Sequence, residues 1–258
     1  MIVIDGLRPD AIDAADCPNL RGLRARSAST MQARTVMPSI TLPCHMSLFH
    51  SVPPTRHGIT TNTWSPMARP IPGIVDAAHG FGRRSAMFFN WETLRDLARP
   101  EKQAFSFFTY HNYDPHSDQA VADAAAVWIP RQDLDFAFVY LGMVDEMGHR
   151  HGWMHDGYLR QVELTDMALA TVLAALPQDG HVLLQSDHGG HDRSHGTELD
   201  ADMLIPWMLA GPGINIGQEL GNPVSILDTA PTLAKLLEVD PPRDWEGRVV
   251  EEAWAAEK

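Results

Sequence analysis

Cysteine is almost missing from this chain. Cys17 and Cys44 are the two present and neither belongs to a CxxC pair, which excludes a disulfide scaffold and a thiolate zinc site. Positive charge is also short: 20 Lys and Arg stand against 33 Asp and Glu, for a formal net charge of -13. A grip on a nucleic-acid polymer needs clustered Lys and Arg to displace counterions from its phosphates. No such cluster occurs, so no nucleic-acid partner is expected. No run of about 20 apolar residues is available to cross a bilayer, so no membrane partner is expected either. The opening residues Met1-Ile2-Val3-Ile4-Asp5-Gly6 read as a strand, without the charged stretch and apolar core of a signal peptide. The corresponding expectation is a cytoplasmic protein. Internal repeats and low-complexity tracts are absent, and the Pro-rich stretches Pro66 to Pro72 and Pro241 to Pro242 read as loops.

What is present suits one sizeable core. With 44% hydrophobic and 21% charged residues in 258, an α/β chain of this length need not divide, and a single domain over residues 1–258 is expected. Short apolar runs at Ile2 to Ile4, Ala86 to Phe89, Phe136 to Leu141, His181 to Gln185 and Met203 to Leu209 read as buried strands. The spacing of Leu159, Val162, Leu169, Val172, Leu173 and Leu176 marks a helical stripe. Strands separated by helices imply a mainly parallel central sheet covered on both faces. Ligands in such sheets collect beyond the carboxyl ends of the strands. Asp5, Asp145 and Asp187 each fall at or just after such an end.

Around these acids lie residues able to hold divalent cations. Thr41 sits in Pro38-Ser39-Ile40-Thr41-Leu42-Pro43-Cys44-His45, with Pro43 suited to the first position of a helix whose N–H groups would face an anion. Thr41 reads either as a metal-activated nucleophile or as an N-cap. Asp145 and His149 share one face of a helical turn, as a ligand pair or as a surface ion pair. Asp187 and His188 end a strand before two glycines, as ligands or as a buried hydrogen-bonded pair. His195 follows closely, and His191 and His151 are its nearest rivals; His50, His79, His111 and His116 lie in polar or loop-like contexts. Oxygen and nitrogen donors without thiolate suit zinc and are compatible with manganese or iron.

Taken together, Asp5-Gly6-Leu7-Arg8, the Pro38 to His45 segment, His57-Gly58-Ile59 with Asn62, Asp145-Glu146-Met147-Gly148-His149, Ser186-Asp187-His188-Gly189 and His195-Gly196 resemble the alkaline phosphatase superfamily, specifically its type I phosphodiesterase and nucleotide pyrophosphatase branch. Ile226 to Leu233 resembles that superfamily's closing helix. The resemblance implies a single-domain α/β sandwich and a two-metal hydrolase of phosphoric esters, a phosphodiesterase acting through a covalent phosphothreonine at Thr41. By the same resemblance, one zinc is held by Asp145, His149 and His195, and the other by Asp5, Asp187 and His188, with Thr41 bridging toward phosphorus. Asn62 would hydrogen-bond a phosphoryl oxygen. Leu42 and Tyr140 would line the leaving-group pocket, unless Tyr140 faces the core.

Alternative functions are a phosphonate (phosphonoacetate-like) or phosphomonoester hydrolase, or a non-catalytic metal-binding relative. The substrate expected is a small-molecule phosphate ester; the sequence gives no oligomeric state. Two features depart from relatives of this kind. Six residues separate His188 from His195, where nucleotide pyrophosphatases carry a long insertion, so a cap is not expected and nucleobase preference should be weak. The sulfatase signature of a Cys or Ser followed by x-Pro-x-Arg is absent.

Overall fold

The computed structural model describes residues 1–110 and 113–256; His111 lies outside them. Eight strands form one sheet: β1 (Ile2–Ile4), β2 (Ala28–Arg34), β3 (Ser85–Phe89), β4 (Phe105–Phe108), β5 (Phe136–Leu141), β6 (Val182–Gln185), β7 (Leu204–Ala210) and β8 (Gln218–Glu219). Their order is β4-β3-β5-β1-β6-β7-β2-β8. From β4 to β6 every pairing is parallel. Strand β7 is antiparallel to both β6 and β2, so β2 points the same way as β1. The sheet is therefore mainly parallel, as expected, with one reversed strand that the sequence pattern did not show. The reversal follows from the connection: residues 186–203 stay at the carboxyl edge of β6 and contain no crossover helix to carry the chain back.

Strand alternation sorts the apolar residues into two cores. Val3, Phe138, Tyr140, Leu183, Trp207 and Leu209 face one layer, packing with Leu48, Phe49, Ile74 and Leu233. These last come from α3 (Thr41–His50), α5 (Ile74–Gly80) and α10 (Thr229–Leu236); between them lies the short α4 (Pro54–His57). Ile2, Ile4, Val139, Leu141, Leu184 and Met208 face the other layer. There they meet α2 (Pro18–Ala25), α6 (Ser117–Trp128), α7 (Met143–His151) and α8 (Asp156–Ala174), after the short α1 (Ala11–Ala14). Each large side chain so buried contributes about 1.5–3 kcal/mol. The helical stripe of the sequence is α8; Leu176 lies beyond its end but packs against the same core. Among the described residues no helix is long and apolar enough to cross a membrane.

Candidate active site

Strand order explains why the acids meet. Strand β1 lies between β5 and β6, and neighbouring strands are about 4.8 Å apart. Asp5 directly follows β1, Asp187 follows β6 by two residues, and Asp145 lies in the first turn of α7, which starts just after β5. All three are buried. Gly6 makes the approach possible: it adopts φ +67°, and a Cβ there would lie 2.9 Å from the Asp145 Cα. Its N–H donates to Asp187 Oδ1 at 3.3 Å.

Thr41 comes to the same edge because β2 runs parallel to β1 and delivers the start of α3 there. Helix α3 begins at Thr41 with Ile40 as N-cap, and no side chain caps it. Thr41 is thus not the N-cap, and Pro43 is the third helical residue, not the first. The Thr41 hydroxyl lies 3.2 Å from His188 Nε2. Of the amides at the start of this helix, the Leu42 N–H donates to Asn62 Oδ1 at 2.9 Å, and Pro43 has none. With its oxygen engaged, Asn62 keeps its NH2 as the donor end.

The imidazoles close the cluster, each oriented through its second nitrogen. His188 Nδ1 is 2.8 Å from the Gly189 carbonyl, His195 Nδ1 is 2.8 Å from the Ser39 carbonyl, and His149 Nδ1 is 3.0 Å from the Arg193 carbonyl. A ring N–H donating to a carbonyl leaves Nε2 with its lone pair inward, as metal-ligating histidines require. His188 Nε2 is 3.3 Å from Asp5 Oδ1 and 3.4 Å from Asp187 Oδ2. His195 Nε2 is 3.6 Å from Asp145 Oδ1, and His149 Nε2 is 3.4 Å from Asp145 Oδ2. The two Nε2 atoms of His149 and His195 are 3.1 Å apart, and the His188 and His195 rings stack at 3.9 Å. Two sets, Asp5 with Asp187 and His188, and Asp145 with His188 and His195, each place their donor atoms within 4.8 Å of one another. His149 stands at the outer side of the second set.

Three carboxylates in one buried space are costly unless something positive joins them. Asp5 Oδ1, Asp145 Oδ1 and Asp187 Oδ2 have no hydrogen-bond partner in the protein. Burial raises the Asp5 carboxyl well above the usual carboxylate range, helped by Asp187 and Asp145. Burial likewise pushes Asp187 up to about 7. Burial alone would raise Asp145 too, but the His149 hydrogen bond and the nearby rings of His188 and His195 hold it low. Burial, reinforced by His195, keeps His188 well below the usual imidazole range. Orphaned carboxylate oxygens facing imidazole nitrogens are a donor set that fits divalent cations.

Residues 1–210 match the type I phosphodiesterase / nucleotide pyrophosphatase family. The chain belongs to that family. Its fold is that of the alkaline phosphatase superfamily: murine ectonucleotide pyrophosphatase/phosphodiesterase 5, in an inactive variant complexed with AMP, is similar at TM-score 0.81 and 14% identity, covering 98% of both chains. The phosphonate monoester hydrolase of Silicibacter pomeroyi is similar at TM-score 0.75 and 17% identity, covering 100% of this chain and 76% of that one. In sequence, the chain is 23% identical over 188 residues to the catalytic subunit of Mus musculus GPI ethanolamine phosphate transferase 3, covering 70% of this chain. It spans 17% of that relative's length, 20% of a bisphosphoglycerate-independent phosphoglycerate mutase and 27% of a phosphopentomutase.

Two expectations for this family member need correction. The Leu42 side chain is fully buried in the α3 core and cannot wall a solvent-facing pocket. Tyr140 is buried as well, and its hydroxyl donates to Asp5 Oδ2; it supports a candidate ligand from beneath. Of the rival histidines, His191 turns to Asp202 at 2.7 Å and His151 is exposed.

Other supports escaped sequence reasoning. Trp153 donates to the Gly6 carbonyl at 2.9 Å and packs so closely on Gly148 and Gly190 that a Cβ at either would lie within 2.5 Å of its ring. Glycines inside the ligand motifs were the available signal. Ser186 accepts from the Leu7 N–H and donates to the His188 carbonyl, and Tyr158 donates to the Gly6 carbonyl. Buried His45 directs Nδ1 to the Thr41 carbonyl at 2.8 Å, holding the first turn of α3.

Proposed function

We propose that this protein is a hydrolase of small phosphoric diesters, built as one catalytic domain without a cap, that holds two divalent cations, zinc in the first instance, and uses Thr41 as nucleophile. The observation that carries this reading is the set of three buried carboxylate oxygens without a hydrogen-bond partner, gathered around His188, whose Nε2 is 3.2 Å from the Thr41 hydroxyl. Asp5, Asp187, His188 and Thr41 would hold one cation; Asp145, His149 and His195 would hold the other. When bound, the pair would lower the proton affinity of the attacking hydroxyl and neutralise charge on the transferring phosphoryl group.

The chain's own contribution is placement. Helix α3 fixes Thr41 at its first position, with His45 and Asn62 bracing that turn. Thr41 Oγ forms the bond to phosphorus as the bond to the leaving oxygen breaks, and the departing oxygen takes up a proton. Water then displaces Thr41 from phosphorus and restores its hydroxyl. The Asn62 NH2 donates to a phosphoryl oxygen as negative charge develops there.

Between His188 and His195 the chain makes only a tight turn, with His191 and Ser194 exchanging backbone hydrogen bonds. That turn cannot cover the cluster, so remote parts of a substrate add little binding energy to the transition state. The test is kcat/KM for bis-p-nitrophenyl phosphate, p-nitrophenyl phosphate, phosphonoacetate, p-nitrophenyl sulfate and a set of nucleotide esters, before chelation, after it, and after zinc is restored. The diester should lead, activity should vanish with chelation and return with zinc, and nucleobases should differ little. Preference for one nucleobase by more than about 1,000-fold, roughly 4 kcal/mol in the transition state, would defeat the open-site reading; undiminished activity after chelation would defeat the metal reading.

A further inference from the structure

His195 lies on a loop without regular structure, yet its ring has to be fixed to within a fraction of an ångström to serve as a ligand. The loop leaves β6 at Ser186 and reaches α9 (Asp200–Met203). Asp202, on that short helix, is 0% exposed, and its oxygens gather the loop from three directions. Oδ1 is 2.7 Å from His191 Nδ1. Oδ2 accepts from the Thr197 N–H at 2.9 Å and the Thr197 hydroxyl at 2.7 Å. Its backbone carbonyl accepts from the Gly189 N–H at 2.8 Å. The residue after His188 and the residue two past His195 are thus tied to one buried group.

The same tie extends to the nucleophile segment. The Thr197 carbonyl accepts from the Ser39 hydroxyl at 2.9 Å, and the Ser39 carbonyl faces His195 Nδ1 at 2.8 Å. Gly189 meets α9 so closely that a Cβ would lie 2.1 Å from the Ala201 carbonyl oxygen, so the loop is seated directly on the element that carries Asp202. A buried carboxylate with three side-chain and backbone donors aimed at it is an organising group, since leaving those donors unpaired would be costly.

We propose that Asp202 is the positioning residue that holds the 189–197 loop and sets His195 against Asp145 and His149; its consequence for metal binding rests on the function proposed above. The interaction works through hydrogen-bond acceptance. A carboxamide at this position has the same shape, its oxygen can accept both Thr197 donors, and its NH2 can donate to the other tautomer of His191. Asp202→Asn should therefore preserve the loop, whereas Asp202→Ala should release it.

The experiment is a zinc titration of the full-length protein against a competing chelator, paired with hydrogen exchange of the metal-free protein. Asp202→Ala should weaken one of the two zinc-binding steps by about 10–100-fold, the usual scale for groups that orient a ligand, and leave the other unchanged. Exchange should accelerate in the 188–198 segment and not across the chain, and Asp202→Asn should match the wild type in both measurements. If Asp202→Ala does not fold, Thr197→Val, which deletes one of the bonds, should weaken the same step by less. Wild-type titration of Asp202→Ala, equal weakening of both steps, or failure of Asp202→Asn to rescue would overturn the proposal. If the wild-type protein takes up no zinc, the proposed function falls, and exchange alone then decides whether Asp202 holds the loop: unchanged protection in Asp202→Ala contradicts it.

Discussion

His149 is the candidate ligand with the most water around it, its side chain 41% exposed. In the metal-free protein it pairs with Asp145, and that hydrogen bond raises its pKa to about 9. A histidine whose folded-state pKa lies above its unfolded value contributes stability that is fully present below about pH 6.5 and is lost as pH rises through about 9. The difference in melting temperature between metal-free wild type and His149→Gln should therefore shrink from pH 6 to pH 10; a constant difference would mean that the pair is not formed.

At this scale most of the candidate site was legible. Asp5, Asp145, Asp187, His149, His188 and His195 could be picked out as candidates because acids at strand ends and short His spacings have a chemical meaning in sequence, and their side chains gather at one edge of the sheet. Leu42 was misread, and Tyr140 was left open between pocket and core, because sequence does not say on which side of an element a residue ends. Asp202 carried no signal, being one acid among 33 Asp and Glu whose partners come from a loop with no periodicity.

Helix α7 shows how an element is placed by close contact. Gly148 lies in its interior, where glycine ordinarily costs about 0.5–1 kcal/mol relative to alanine. Here a Cβ would lie 2.5 Å from Trp153 Cε2, so Gly148→Ala should reverse the usual sign and destabilise by about 1–3 kcal/mol, the scale for overpacking. Denaturant unfolding measures it, and a stabilised variant would show that Trp153 can move aside. The five apolar runs were readable as strands because both sheet faces are covered. β2 was not, since Ala28–Arg34 mixes Ser, Thr, Gln and Arg with its apolar residues, and β8 has two residues. The reversal of β7 was illegible for a different reason: direction is set by the path of residues 186–203, which has no hydrophobic period.

Across the whole molecule, a chain with net charge -13 brings three of its acids together in its interior, an arrangement that makes physical sense when cations complete it. The fold and the cluster are two consequences of one strand order, β5-β1-β6, with β2 bringing Thr41 to the same edge. One comparison tests the cations and Thr41 together: kcat/KM for bis-p-nitrophenyl phosphate and zinc content, measured on the same samples of wild type and Thr41→Ala. The wild type should carry about two zinc ions, and the variant should keep its fold and most of its metal while losing at least about 1,000-fold in kcat/KM, as removal of a covalent nucleophile requires. A metal-loaded Thr41→Ala variant that hydrolyses the diester at the wild-type rate would contradict it.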